Sequence, residues 1–347
     1  MHNGSRPVRH FSLHRIGNTE LRVVSDVEAG VIPFIEIEEG VLAQYARTVN
    51  WPHQVVTLFV LQDLEPLLRH LSRAAASPPG VMDGLGHKPV VNVYDAASLQ
   101  ACHVFVNQQA MTKEGYWDDQ AAVRALLAHE HAHPLAECQT TRSSRMLKLN
   151  LSCQSTLPLS PSEAGSKEWM DKIHGLLTEA AEKLCVHAPR EIFANDVTIR
   201  SGFSDSLFHL DLLNVQRAAQ GVASRKILQR QLEAEESLTP AGANLMLVIG
   251  DIKGHLDLAL ETASFYRQEK IGEAKELERI LFSEVMSSLE PEVGRAYERL
   301  RDTFVAFPTD TSPQELAGFV RLMVNILAAV LAAKGLQLEY DLSVTEK

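Results

Sequence analysis

The chain has no excess of basic charge, no C-x-x-C pair and no leading apolar run, and each absence removes a class of function. Its 33 Lys and Arg stand against 44 Asp and Glu, a net charge of -11. A surface of that sign repels phosphate backbones unless a local basic patch overrides it, so nucleic acid is not expected as a partner. Cys102, Cys138, Cys153 and Cys185 are scattered, which argues against a zinc ribbon or a dense disulfide framework and for reduced thiols in a cytoplasmic protein. The opening MHNGSRPVRHFSLHRIGN is basic but lacks the apolar stretch and small-residue cleavage site of a secretory signal. Its histidines His2, His10 and His14 are expected in a frayed terminus. No membrane association is expected. The most apolar late segment, LAGFVRLMVNILAAVLAAKGLQL, carries Arg321 and Asn325 on one helical face, as in a buried amphipathic helix and unlike a lipid-facing span.

What is present is a globular composition, 45% hydrophobic and 22% charged over 347 residues, long enough for two domains. The expected class is α+β and α-rich. The expected divisions are an N-terminal α/β subregion over 1–75, a central core over 76–205, and a mainly helical region over 206–347 that ends in a strand. Residues 72–89 concentrate Ser, Pro and Gly as a surface connection would. PVVNVYD and CHVFVN then read as two strands.

A helix follows, with Asp118 as its cap and a run, QAAVRALLAHEHAH, free of Gly and Pro. Pro134 is expected to end or kink it. CQSTLPLSPSEAGSK reads as a polar loop, EWMDKIHGLLTEAAEKLC as a helix, and Pro189 as the first turn of another. Beyond about residue 205 long helices dominate, NLMLVIGDIKGHLDLALETASFYRQEK among them, interrupted at Pro240 and Pro291. Leu336, Leu338, Tyr340, Leu342 and Val344 alternate with polar residues, the period of a strand.

The chemistry concentrates in LLAHEHAHPLAEC, residues 126–138. His129, Glu130 and His133 form H-E-x-x-H. Residues four apart on a helix lie one above the other, so both imidazoles can reach one ion while Glu130 sits beside it. A metal ion bound by two neutral imidazoles and a carboxylate keeps a position open for water, whose lowered pKa lets Glu130 take its proton. That is the apparatus of a metal-assisted hydrolase. His131 points elsewhere on the helix, as a hydrogen-bonded or core residue.

A third ligand must come from elsewhere in the chain. Glu191, Ala194, Asn195 and Thr198 share one polar or small helical face. Glu179 and Glu182 on the preceding helix compete with Glu191, which also suits a first-turn acid. Glu137 would stand about 12 Å from the level of His129 on a straight helix, too far to share an ion unless the helix breaks. Arg142 and Arg145 read either as a clamp for a substrate carboxylate or as a solvated loop. His209 and Tyr94 are candidates for stabilising an oxyanion, without a spacing argument.

Over residues 90–205 the chain resembles the zincin metallopeptidases, and within them the gluzincins, through H-E-x-x-H at 129–133 and E-x-x-A-N at 191–195. The resemblance implies a small sheet over the motif helix, His129, His133 and Glu191 as zinc ligands, Glu130 as general base, and Asn195 supporting the ligands from behind. It also implies hydrolysis of a peptide or protein substrate lying extended along CHVFVN as a sheet edge. Pro134 departs from the pattern. The rival readings are a zincin-fold binding or regulatory protein with a structural or vestigial metal site, and a helical scaffold whose motif is accidental.

Overall fold

The computed structural model describes residues 7–65, 87–95 and 97–345. His2 and most of the Ser/Pro/Gly-rich connection at 72–89 lie outside the described residues. The protein is α+β and α-rich, and it divides into two compact units: Met1–Leu135 with Val197–Leu210, and Ala136–Asp196 with Asp211–Lys347.

The first unit is built on a five-stranded sheet formed by β1 (His10–Ile16), β2 (Thr19–Ser25), β3 (Val55–Leu61), β4 (Val90–Asp95) and β5 (Ser98–Asn107), in the order β1-β2-β3-β5-β4. The β2–β3 and β3–β5 pairs are parallel, and the outer two pairs are antiparallel. Alternation gives the sheet one face that is buried at its central strands, where Leu21, Val23, Val56, Leu58, Cys102 and Val104 are all 0% exposed. Helix α1 (Val31–Thr48) crosses from β2 to β3, the connection that parallel strands need. The short α2 (Gln108–Lys113) follows β5, and α3 (Gln120–Leu135) packs against α1, β4 and β5.

Four expectations are corrected here. CHVFVN is not a sheet edge, because β5 bonds to β3 on one side and β4 on the other; among the described residues the edge strands are β1 and β4. His10 and His14 are not frayed, since antiparallel pairing with β2 ties β1 down. His14 meets Glu39 at 2.7 Å and Ser12 at 2.7 Å. The division at residue 75 does not hold either, because β1–β3 share their sheet with β4 and β5. Nor does a single core over 76–205, as 136–196 belongs with the helices of the second unit.

The second unit contains α4 (Gln139–Ser144), β6 (Leu147–Ser155), α5 (Glu163–Ala181), α6 (Ala188–Thr198, to Asp196), α7 (Ser204–Glu233, from Asp211), α8 (Pro240–His255), α9 (Leu258–Arg267), α10 (Ile271–Ile280), α11 (Pro291–Val305), α12 (Pro313–Ala332) and β7 (Leu336–Val344). β6 and β7 form an antiparallel ribbon, with Leu151 opposite Tyr340, so Cys153–Ser155 are strand where a loop was expected. Pro240 and Pro291 occupy first-turn positions and begin helices, where a missing N–H costs nothing. The long run from 244 is two helices, parted at Leu256 and Asp257. Helix α12 opens with a Ser312–Glu315 capping box. It is long and apolar enough to cross a membrane, and half of its apolar window is buried against neighbours that include α11 and β7.

Candidate metal centre

Helix α3 is fixed at its start by Asp119, one residue after the expected cap. One carboxylate oxygen accepts the N–H groups of Ala121 and Ala122, both at 3.0 Å; the other accepts from His209 Nε2 at 2.7 Å. Burial alone would raise the Asp119 carboxyl, but the His209 and backbone hydrogen bonds hold it below the usual range. His209 is thus engaged at the end of α3 remote from His133.

The rear of α3 is small and apolar, with Ala122, Ala125, Ala128 and Ala132 all 0% exposed, which lets α1 approach closely. Two polar contacts fix that approach. Tyr45 donates its hydroxyl to the Ala128 carbonyl at 2.7 Å. His131 Nε2 meets the Glu38 carboxylate at 2.6 Å, with both side chains 0% exposed, and the Trp51 ring meets His131 edge-on at 5.3 Å. Burial would depress His131, but Glu38 and, to a lesser extent, the adjacent Cys102 thiol raise it to about 10. Burial first, and then His131, push the neighbouring His53 down to about 4. One imidazole of this pair is therefore charged and the other neutral at pH 7.

The side of α3 turned away from His131 carries the motif. His129, Glu130 and His133 are half-buried, and their ligand atoms all lie within 4.8 Å of one another. This is the one group of three or more His, Cys, Asp or Glu side chains so placed among the described residues. The two imidazole centroids are 4.7 Å apart with planes at 82°. Ligand atoms this close together could hold one metal ion between them. Pro134 does not displace His133, because α3 runs on to Leu135 and ends there.

Glu130 is held by Asn92 of β4. The Asn92 backbone N–H donates to Glu130 Oε2 at 3.0 Å, and its side-chain amide donates to the Glu130 carbonyl at 3.1 Å. Sequence reasoning missed Asn92, Glu38 and Tyr45. Glu38 had a signal, because it shares the helical face of Phe34, Val41, Leu42 and Tyr45 and is the one charge on it.

The remaining candidates lie in the second unit, apart from Tyr94, which is on β4. Glu191 stands half-buried in the first turn of α6, within the field of Lys183. Ala194 and Asn195 are buried. Glu179 is exposed and bonded to Lys253 at 2.6 Å, Glu182 is exposed, and Glu137 is paired with Arg145. Arg142 is exposed on α4. All four cysteines are free thiols. No protein-family model, curated protein or solved structure matches the chain.

Proposed function

We propose that the protein is a zinc-dependent metallopeptidase. The observation that carries this reading is the convergence of His129, Glu130 and His133 within 4.8 Å on one turn of a helix braced from behind. His129 and His133 supply neutral imidazoles to the ion. By its place in E-x-x-A-N at 191–195, Glu191 is the residue that the resemblance would assign as third ligand, with Asn195 in support. A bound zinc ion supplies Lewis-acid polarisation of the scissile carbonyl and a water of lowered pKa. Glu130 would be the proton-carrying group of the site, a general base and then a general acid. The substrate is a peptide or protein, and the four free thiols suit a cytoplasmic setting.

A second reading, a metal site that is structural or vestigial in a binding protein, draws support from the Asn92 N–H already seated on the Glu130 carboxylate. A carboxylate oxygen accepts more than one hydrogen bond, so this contact leaves Glu130 able to serve as base.

Incubation with a mixed peptide library tests the enzyme reading. Zinc-loaded protein is expected to generate new peptide termini, a chelator to stop this, and added zinc to restore it. In the same series Glu191→Gln lowers zinc occupancy, because a neutral amide replaces an anionic ligand, whereas Glu179→Gln and Glu182→Gln do not. Full occupancy in Glu191→Gln with loss in either of the others would move the third ligand to α5 or the turn after it.

A further inference from the structure

Proline inside a helix removes the N–H that would bond the carbonyl four residues earlier, and it biases the residue before it away from helical geometry. Pro134 aims both effects at the metal centre. The carbonyl that loses its usual i+4 donor is that of Glu130, and the residue it disfavours is His133. Even so, the helix persists through His133 and Pro134 to Leu135.

The missing donor is replaced from outside the helix. Asn92 sits on the edge strand β4, in register with Val104 of β5, so its side chain shares the sheet face that α3 covers. Its amide nitrogen reaches the Glu130 carbonyl at 3.1 Å. The orientation of that amide follows from its neighbour, since a carbonyl accepts only from the nitrogen. The backbone N–H of the same residue donates to Glu130 Oε2 at 3.0 Å. One strand residue thus holds both ends of Glu130.

We propose that Asn92 is the positioning residue of the metal centre. Its side-chain amide stands in for the N–H that Pro134 lacks, keeping His129 and His133 at helical spacing, while its backbone N–H holds the Glu130 carboxylate on their side. This inference rests on the metallopeptidase reading for its zinc readout only.

A double-mutant cycle between Asn92→Ala and Pro134→Ala tests it, read by zinc dissociation constants from chelator competition and by thermal unfolding of the metal-free proteins. Asn92→Ala keeps the backbone N–H and loses only the amide. It is expected to weaken zinc binding about 10–100-fold, the usual effect of removing a group that orients a ligand. Adding Pro134→Ala gives the helix its own N–H for the Glu130 carbonyl, so the double variant returns to within about threefold of Pro134→Ala alone. Tyr45→Phe, which removes a different hydrogen bond to the same helix, is the control and gains no comparable rescue.

Wild-type zinc affinity in Asn92→Ala, or equal rescue of Asn92→Ala and Tyr45→Phe by Pro134→Ala, overturns the proposal. If the wild type takes up no zinc, the metallopeptidase reading fails. The thermal cycle then decides the clamp: rescue of the Asn92→Ala melting temperature by Pro134→Ala upholds it, and additive shifts reject it.

Discussion

Glu130→Gln leaves zinc bound and lowers kcat/KM on a cleavable peptide by about 10²–10⁴-fold, the range that a positioned proton acceptor contributes. The amide keeps the size of the side chain, and its oxygen can still accept the Asn92 N–H that Glu130 Oε2 accepts in the wild type. What it loses is the capacity to take a proton. The helix and both imidazoles are untouched, so zinc affinity changes far less than in Glu191→Gln. Unchanged turnover would remove Glu130 from the mechanism. Unchanged zinc content with no turnover in either protein would favour the binding-protein reading.

Glu38→Ala carries the largest expected cost to stability, about 3–5 kcal/mol in the metal-free protein, because it strands a buried charged imidazole without its partner. Glu38 and His131 are both 0% exposed and 2.6 Å apart, and Glu38 raises His131 from 6.5 to about 10. The sign of the pH dependence follows. The folded chain holds a proton on His131 that the unfolded chain releases above about 6.5, so this contribution is fully present below that pH. It declines as pH rises and is lost through about 10. Denaturant unfolding of wild type and Glu38→Ala at pH 6, 8 and 10 should give a stability difference that shrinks across the series. A difference below about 1 kcal/mol at pH 6 would show that the pair is not the brace of α3.

The parts of this structure legible in the sequence are those whose signals are local. Runs of β-branched and aromatic residues placed β4 and β5, alternation placed β7, and an uninterrupted run of helix formers placed α3 with its three motif residues within about one turn. Strand β6 was not read from the sequence, and its polar end, Cys153–Ser155, read as loop because only the pairing with β7 makes it strand. Whether β5 was edge or interior was not legible, since its second neighbour, β3, is joined to it through a long connection and a parallel pair that no local pattern announces. The break at Leu256 and Asp257 has no proline to mark it.

Within the site the same rule divides what was read from what was missed. His129, Glu130 and His133 were legible because one helical turn brings them together. Asn92 was not, as it acts from a strand 38 residues away. The effect of Pro134 on α3 could be named from chain chemistry, but its compensation could not, because the substituting donor comes from the sheet. Glu191 differs again: it lies in the other compact unit, and its assignment as a ligand is a proposal that rests only on its place in E-x-x-A-N at 191–195.

Metal content tests the central claim most directly. Elemental analysis of protein purified without chelator, with zinc titration of any metal-free fraction, is expected to give about one zinc per chain in the wild type, in keeping with a single two-imidazole site. His129→Ala should give a content near zero under the same conditions. Wild-type protein that carries no metal and takes up no zinc would contradict the metal centre and the hydrolase with it, as would full zinc occupancy that survives loss of His129.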